Sequence, residues 1–278
     1  MGTSKKPREQ HLLQVVRTQQ LTPHMVRVVL GGEGFSRIEF KGDTDQYIKL
    51  LFADPALGLE RPYDMDALRE TLPVEQMPVR RTYTIRHVDH AAGEVWVDFV
   101  THGAAGIAGP WAESAQPGDL ISFFGPGSGY APRPDAPFHL LAGDESALPA
   151  IAAAVESMPA DARGLALVEV ASEEERLPLQ VPSGVELRWL YRGGDFTAEN
   201  ARLAAEVEAL ELPGIAEDEI QVFVHGEREQ MKRIRRHLVE DRGLPRKGMS
   251  LSAYWAFGRA EDAFQAEKRT PVGQIDPS

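Results

Sequence analysis

The chain has 278 residues, enough for two domains, and its 42% hydrophobic and 26% charged residues are typical of a soluble globular protein. It contains no cysteine, which excludes disulfides, thiolate zinc sites, cysteine-ligated iron–sulfur clusters and a cysteine nucleophile. Its formal net charge of −12 argues against nucleic acid as a partner.

The first half of the chain has the two-residue periodicity of β-strands. Apolar residues alternate along four short runs: His24–Gly31, Tyr47–Phe52, Glu94–His102 and Leu120–Phe124. The segment 53–79 is rich in Pro, Asp and Glu, and we expect it to be a long connection that contains at most a short helix. Short strands separated by Gly and Pro predict an antiparallel β-barrel.

The second half alternates strands with helices. The strands are predicted at Phe138–Ala142, Leu165–Val170, Val185–Tyr191 and Ile220–His225. The helices are predicted at Ala147–Met158, Ala198–Leu210 with Thr197 as N-cap, and Arg228–Asp241. This order indicates a parallel sheet with helices on its faces. The Pro- and Gly-rich segment 125–137 marks the boundary, so we predict a barrel domain over 1–132 and an α/β domain over 133–278 that ends in a helical tail.

Residues 81–86, Arg-Thr-Tyr-Thr-Ile-Arg, carry groups that suit a flavin on a segment that alternates like a strand. An arginine can pair with a pyrophosphate, a tyrosine can pack beside a flat ring, and a threonine can hydrogen-bond a ring edge. An exposed edge strand would have the same composition, so the segment alone does not decide between the two.

Two Gly-rich loops differ in context. Residues 125–129 run into Tyr-Ala-Pro-Arg-Pro and open no helix, so they are not a dinucleotide-binding loop. Residues 102–112 follow a strand and lead into a short helix with Pro110 in its first turn, where free N–H groups favour an anion such as a pyrophosphate. A plain Gly-rich loop is the alternative there.

The segment Gly143–Pro149 ends the first α/β strand and opens a helix, which is where open α/β sheets bind ligands. Its acidic residues are an unusual lining for a phosphate, and Asp144 or Ser146 could instead cap the helix.

Near the C-terminus, Tyr254 and Trp255 point to opposite faces of a strand, either both into the core or one onto a flat cofactor. The basic stretch Arg228–Lys247 indicates a solvated helix face.

Taken in order, five segments resemble the siderophore-interacting protein family of FAD-dependent ferric reductases. They are Tyr-Ile-Lys-Leu-Leu-Phe at 47–52, Arg-Thr-Tyr-Thr-Ile-Arg at 81–86, residues 98–112, Gly-Asp-Glu-Ser-Ala-Leu-Pro-Ala-Ile at 143–151, and Tyr-Trp-Ala-Phe-Gly at 254–258. The resemblance covers nearly the whole chain. It implies an FAD-binding barrel followed by an α/β domain similar to that of ferredoxin–NADP reductases.

The resemblance also implies an activity: reduction of the ferric iron of a siderophore by electron transfer through FAD, without a catalytic acid or nucleophile. It places cofactor contacts at Arg81, Thr82, Tyr83, Thr84, Val100, His102, Gly106, Ile107 and Ala108 for FAD, and at Gly143, Asp144, Glu145 and Ser146 for a nicotinamide. Lys49, Arg259 and Arg133 are the candidate cations for an anionic ferric siderophore. No metal site is expected in the protein itself.

Two departures from the family pattern bear on these roles. Ala256 stands where the family often has a basic residue after Tyr-Trp, and Pro110 replaces a small residue before Trp111. The tail 260–269 could cover the nicotinamide site, in which case a ferredoxin would be the electron donor. Coenzyme choice stays open, because Glu169 favours NADH through ribose hydroxyls whereas Arg176 and Arg192 favour the phosphate of NADPH.

Two other functions remain open on the sequence: a reductase of the same plan that acts on a ferredoxin or another small acceptor, and a non-enzymatic flavin- or siderophore-binding module. No apolar run approaches the roughly 20 residues of a membrane helix, and Met1–Gln10 lacks the apolar stretch of a signal peptide. We therefore expect a cytoplasmic protein without membrane insertion, and a monomer.

Overall fold

The computed structural model describes residues 9–103, 106–214, 216 and 219–276. The described residues divide into two compact units. Of the described residues, the first unit contains those up to Leu21, those from Met25 to Gly42 and those from Gln46 to Ser128, and the second contains Thr22–His24, Asp43–Asp45 and those from Gly129 onward. No helix in the described part of the chain is both long and apolar enough to span a bilayer.

A closed barrel of six antiparallel strands forms the first unit, in the order β1-β2-β5-β4-β3-β6. The strands are β1 (Gln10–Thr22), β2 (Met25–Gly31), β3 (Tyr47–Phe52), β4 (Val79–Asp89), β5 (Glu94–Val100) and β6 (Leu120–Gly127). Alternate side chains fill the barrel, among them the fully buried Leu50, Phe99 and Phe123. The predicted barrel and its four alternating strands are therefore confirmed.

The connection before β4 contains one short α-helix, as the sequence predicts: α1 (Met65–Thr71), flanked by 3-10 turns at Pro55–Leu57 and Val74–Gln76. The Asp64 side chain accepts hydrogen bonds from the backbone N–H groups of Asp66 and Ala67 and so caps the helix. A second helix, α2 (Ala108–Ser114), follows β5.

Five parallel strands in the order β11-β10-β7-β8-β9 form the sheet of the second unit. They are β7 (Phe138–Gly143), β8 (Arg163–Val170), β9 (Gly184–Tyr191), β10 (Ile220–Glu227) and β11 (Ser250–Trp255). The helices are α3 (Leu148–Ser157), α4 (Leu203–Glu208), α5 (Arg228–Arg236) with a π-helical turn over His237–Asp241, and α6 (Glu261–Glu267). The predicted α/β arrangement is confirmed, and the helical tail is α6.

One predicted helix is wrong in length. We expected Ala198–Leu210 with Thr197 as N-cap, but α4 covers Leu203–Glu208 alone. Thr197 instead forms a turn with Asn200, since each backbone N–H donates to the other's side-chain oxygen. The helix begins at Leu203 because the Glu169 carboxylate accepts hydrogen bonds from the N–H groups of Arg202 and Leu203, at 2.6 Å each.

The basic stretch Arg228–Lys247 pairs largely with acidic groups. Arg228 pairs with Glu267 of α6, Arg233 with Glu208 of α4, and Arg246 with Asp276 near the C-terminus. The first pair joins α6 to α5, and the three pairs together offset much of the local positive charge that the sequence suggests.

Candidate functional site

Strand β4 places the predicted flavin-binding residues on a rigid element of the barrel. Arg81 and Tyr83 are half-buried, whereas Thr82, on the other face, is exposed. The Tyr83 ring packs on the Phe99 ring with centroids 4.3 Å apart, which fixes its orientation. Thr84 is buried within the barrel wall, so its hydroxyl is less accessible to a ligand than the sequence suggests.

The loop that follows β5 supplies backbone donors. Val100 ends β5, His102 and Ile107 are exposed, and Ala108 is buried as the first residue of α2. The first N–H groups of a helix have no partner within the helix, so those at the start of α2 are available to an anion. Gly106 has φ of +79°, a conformation that a residue with a side chain adopts only with strain. Ala104 and Ala105 lie outside the described residues.

The strand register brings these two segments together. β4 and β5 are antiparallel with Ile85 opposite Val97, and the Tyr83–Phe99 ring contact continues that pairing. Arg81 therefore lies beside the end of β5, where the loop begins. A half-buried guanidinium, a fixed aromatic ring and the first N–H groups of α2 fit the phosphates and ring system of FAD. Arg81 and Tyr83 would hold the cofactor with the backbone of residues 106–108.

The three candidate substrate cations occupy different surroundings. Lys49 is half-buried on β3, opposite Thr82 of β4, and its Nζ lies 5.9 Å from the centroid of the Tyr47 ring. Arg133 is exposed in the second unit. Arg259 is also exposed but donates to Glu267 at 2.8 Å, which offsets its charge. Lys49 and Arg133 are thus better placed than Arg259 to attract an anion.

In the second unit, the predicted ligand-binding loop after β7 is closely packed. A Cβ on Gly143 would lie 2.6 Å from the Cβ of Ala147 and 2.7 Å from the carbonyl oxygen of His225, so only glycine fits between α3 and β10. Asp144 is buried and accepts hydrogen bonds from the backbone N–H of Ser146 and of Glu227, each at 2.9 Å. It also accepts one from the Ser146 hydroxyl. Helix α3 begins at Leu148 after Ala147 and has no side-chain cap, so the predicted capping by Asp144 or Ser146 is wrong.

Glu145 belongs to a buried ion cluster that the sequence did not predict. Its carboxylate pairs with Arg192, whose Nη1 lies 3.7 Å from Oε1 of Glu169. Burial raises the pKa of Glu145 and of Glu169. Burial also acts to lower the pKa of Arg192, but the hydrogen bond and charge of Glu145 outweigh it and leave that pKa above its usual value.

This cluster changes the coenzyme prediction. Glu169, the expected ribose ligand, caps α4 with one oxygen and faces Arg192 with the other, and Arg192, the expected phosphate ligand, is paired internally. Arg176 is exposed and pairs with Glu173 on the surface. The opposing hints from Glu169 and Arg192 thus come from a single group of paired charges at the ends of β7, β8 and β9, and Arg176 lies outside it.

Aromatic residues lie at the end of β11, beside this cluster. The indole Nε1 of Trp255 donates to Asp144 at 2.8 Å, and the Phe196 ring contacts both Trp255 and Phe257, with centroids 4.8 and 5.5 Å away. Tyr254, on the opposite face, packs on the His225 ring. Sequence reasoning missed Phe196, because it follows a Gly-Gly turn with no periodicity.

Comparison with known proteins decides the family. Residues 14–130 match the model of the siderophore-interacting FAD-binding domain, and residues 136–258 match that of siderophore-interacting protein. The ferric vibriobactin reductase ViuB of Vibrio cholerae is 33% identical over 264 residues, which cover 95% of this chain and 95% of the relative. The chain belongs to the siderophore-interacting protein family.

Two further similarities agree with this family. The crystal structure of the siderophore-interacting protein SipS from Aeromonas hydrophila matches with a TM-score of 0.77 and 32% identity, over 93% of this chain and 96% of that one. An NADPH-dependent ferric-chelate reductase of Escherichia coli is 29% identical over 248 residues, 87% of this chain and 91% of the relative. The predicted family, its FAD cofactor and its class of flavin-dependent oxidoreductase are confirmed.

Proposed function

We propose that this siderophore-interacting protein is an FAD-dependent reductase of ferric siderophores that releases ferrous iron in the cytoplasm. NADH or NADPH is the proposed electron donor, with a reduced protein such as a ferredoxin as the alternative. The observation that carries the proposal is the placement of Arg81 and Tyr83 on one face of β4, with Tyr83 packed on Phe99 of β5, the strand that leads to the turn before α2.

In the proposed function the residues of this chain bind and orient FAD and the ferric siderophore. They do not exchange protons with the substrate. Bound FAD supplies the chemistry, since a flavin takes up electron pairs and delivers single electrons. Arg81 and the backbone of residues 106–108 offset the negative charge of the pyrophosphate. Tyr83 is held by Phe99 and limits where the flat ring system can lie. Lys49 and Arg133 attract an anionic ferric siderophore and raise the rate of encounter.

The experiment that tests the proposal follows the flavin and the iron separately. Purified protein is mixed with NADH, NADPH or reduced ferredoxin without oxygen, and the flavin absorbance is recorded. A ferric siderophore is then added with a ferrous chelator. We expect a stoichiometric yellow FAD complex, bleaching by one donor, and recovery of the absorbance together with the ferrous complex.

Three results would overturn the proposal. A colourless protein that takes up no FAD would contradict the cofactor site. Rates with iron-free acceptors equal to or above those with ferric siderophores, under the same donor, would instead favour a reductase of another small acceptor. Binding of a siderophore without any change in the flavin would indicate a binding module.

A further inference from the structure

Glu145 is the outermost member of the ion cluster at the carboxyl ends of β7, β8 and β9. The exposed fraction of the side chain is 1% for Glu169, 4% for Arg192 and 14% for Glu145. The three side chains thus lie in that order from the interior toward solvent. Of the three side chains, Glu145 is therefore the most accessible to a ligand in solution.

Arg192 has donors that the protein does not use. Its Nε and Nη1 atoms are buried and have no hydrogen-bond partner among the described residues, and the 3.7 Å separation of Nη1 from Glu169 is too long for a hydrogen bond. The Phe196 ring lies 5.8 Å from Cζ and covers another side of the guanidinium. Arginine binds phosphate through two adjacent parallel N–H groups, and both such pairs of Arg192 include Nη2, which Glu145 holds. A phosphate could therefore bind Arg192 in this way only if Glu145 released it.

The position of the cluster indicates which phosphate that would be. Nucleotides bind open α/β sheets at the carboxyl ends of the strands, and coenzyme choice there depends on an acidic residue that favours the ribose 2′-hydroxyl or an arginine that accepts the 2′-phosphate. In this chain the acidic candidate Glu169 is engaged by the backbone N–H groups of Arg202 and Leu203. Arg192 is therefore the residue on which the choice depends.

We propose that Glu145 selects the coenzyme: by holding Arg192 it disfavours the 2′-phosphate of NADPH and makes NADH the preferred donor. This inference rests on the nicotinamide donor of the proposed function. The nearby carboxylate of Asp144 adds to the negative field, since it also acts on Glu145 and Glu169. A 2′-phosphate would meet one guanidinium already paired with two carboxylates, whereas a 2′-hydroxyl carries no charge to repel.

The test measures nucleotide binding without turnover. FAD-loaded protein is titrated calorimetrically with adenosine 2′,5′-bisphosphate and with 5′-AMP, which differ in the 2′-phosphate. In Glu145→Gln we expect the affinity for the bisphosphate to rise about tenfold, the equivalent of about 1.4 kcal/mol, with little change for 5′-AMP. The same substitution should raise kcat/KM for NADPH relative to NADH.

Two further variants make the result specific. The double variant Glu145→Gln/Arg192→Gln should not show the rise in bisphosphate affinity seen in Glu145→Gln, because the 2′-phosphate then has no guanidinium to bind. Glu145→Asp keeps the charge but shortens the side chain. Its bisphosphate affinity should therefore rise about threefold, between the wild type and Glu145→Gln. This variant also gives a measurement if Glu145→Gln fails to fold, since an arginine deprived of its partner can destabilise a protein.

The outcomes separate this inference from the proposed function. Unchanged bisphosphate affinity in folded Glu145→Gln and Glu145→Asp, or a wild-type protein that already prefers the 2′-phosphate, would overturn the role of Glu145. If the bisphosphate affinity rises as expected but neither coenzyme reduces the flavin in any variant, the effect of Glu145 on 2′-phosphate binding stands, whereas the nicotinamide donor of the proposed function is wrong.

Discussion

Asp144 and Trp255 are 111 residues apart in the chain, yet the indole Nε1 of Trp255 donates to Oδ2 of Asp144 at 2.8 Å. The same oxygen accepts the backbone N–H of Glu227 at 2.9 Å. One carboxylate thereby joins the ends of β7, β10 and β11. The loop that the sequence marks as a ligand site is thus also a structural junction of the sheet.

Replacement of Asp144 by Asn should destabilise the second unit. Both carboxylate oxygens accept hydrogen bonds, so an amide NH₂ in either orientation would face a donor. We expect the free energy of unfolding to fall by about 3 kcal/mol, from the loss of charge-assisted hydrogen bonds at a buried site. Urea denaturation followed by tryptophan fluorescence measures this. Trp255→Phe, which removes a single donor, should lose about 1.5 kcal/mol; equal losses in the two variants would contradict the junction role.

Arg81→Ala should weaken FAD binding more than Arg80→Ala. The two arginines are neighbours on β4 and carry the same charge, but they point to opposite faces of the strand. Loss of one charge-assisted contact with a phosphate corresponds to about 2 kcal/mol, or roughly a 30-fold rise in Kd. Flavin fluorescence during reconstitution of the apoprotein gives both constants. Tyr83→Ala should also raise the Kd, because its ring no longer limits the position of the flavin.

Arg80→Ala is the matched control for that measurement. It removes the same charge from the same strand, so a general loss of electrostatic attraction would affect both variants alike. Similar Kd values for the two arginine variants would show that Arg81 makes no specific contact with FAD. The assignment of this strand to the cofactor site would then be wrong.

Glu169 rather than Thr197 should control the start of α4. Its Oε2 accepts two backbone N–H groups at 2.6 Å, whereas Thr197 Oγ1 accepts one, from Asn200, at 3.2 Å. Glu169→Gln should lower the free energy of unfolding by about 2 kcal/mol, and Thr197→Ala by about 0.5 kcal/mol. Hydrogen exchange at the amides of α4 reports the local effect. Faster exchange in Thr197→Ala than in Glu169→Gln would instead support the longer helix that the sequence predicts.

That helix illustrates what the sequence can and cannot predict. Strand β3 was predicted with its observed limits, since Ile48, Leu50 and Phe52 alternate and the pattern is local. The start of α4 at Leu203 depends on Glu169, 34 residues earlier, so no local pattern contains it. Strand β1 was missed because few of its side chains are buried and its alternation is weak.

The same distinction between local and long-range contacts holds for the candidate site. The flavin motif could be found in the sequence because its residues are consecutive on one strand, and Arg81 and Tyr83 fall on the same face. The Glu145–Arg192–Glu169 cluster could not, because each residue comes from the end of a different strand and only the parallel sheet brings them together. Taken singly, Glu169 and Arg192 pointed to opposite coenzymes.

His225 should make the stability of the protein depend on pH in the acid range. Its side chain is buried on β10 between the rings of Phe223 and Tyr254, and Nε2 lies 2.8 Å from the Ser250 hydroxyl. Burial, with the charges of Lys268 and Arg246, lowers the pKa of His225 from 6.5 to about 3. The unfolded chain therefore binds a proton below pH 6.5 that the folded chain does not bind until pH is near 3. Stability is full above pH 6.5 and falls as the pH decreases through this window.

His225→Asn removes this titrating group, so the pH dependence of its free energy of unfolding can be compared with that of the wild type. The wild type should lose up to about 1.4 kcal/mol more per pH unit than the variant between pH 6 and pH 4. Glu145 and Glu169, whose pKa values are raised, act in the opposite direction, but they are present in both proteins and cancel in the difference. Ser250→Ala keeps the histidine and should retain the wild-type slope. Parallel stability curves for the wild type and His225→Asn, from urea denaturation at each pH, would show that His225 is not held neutral in the fold.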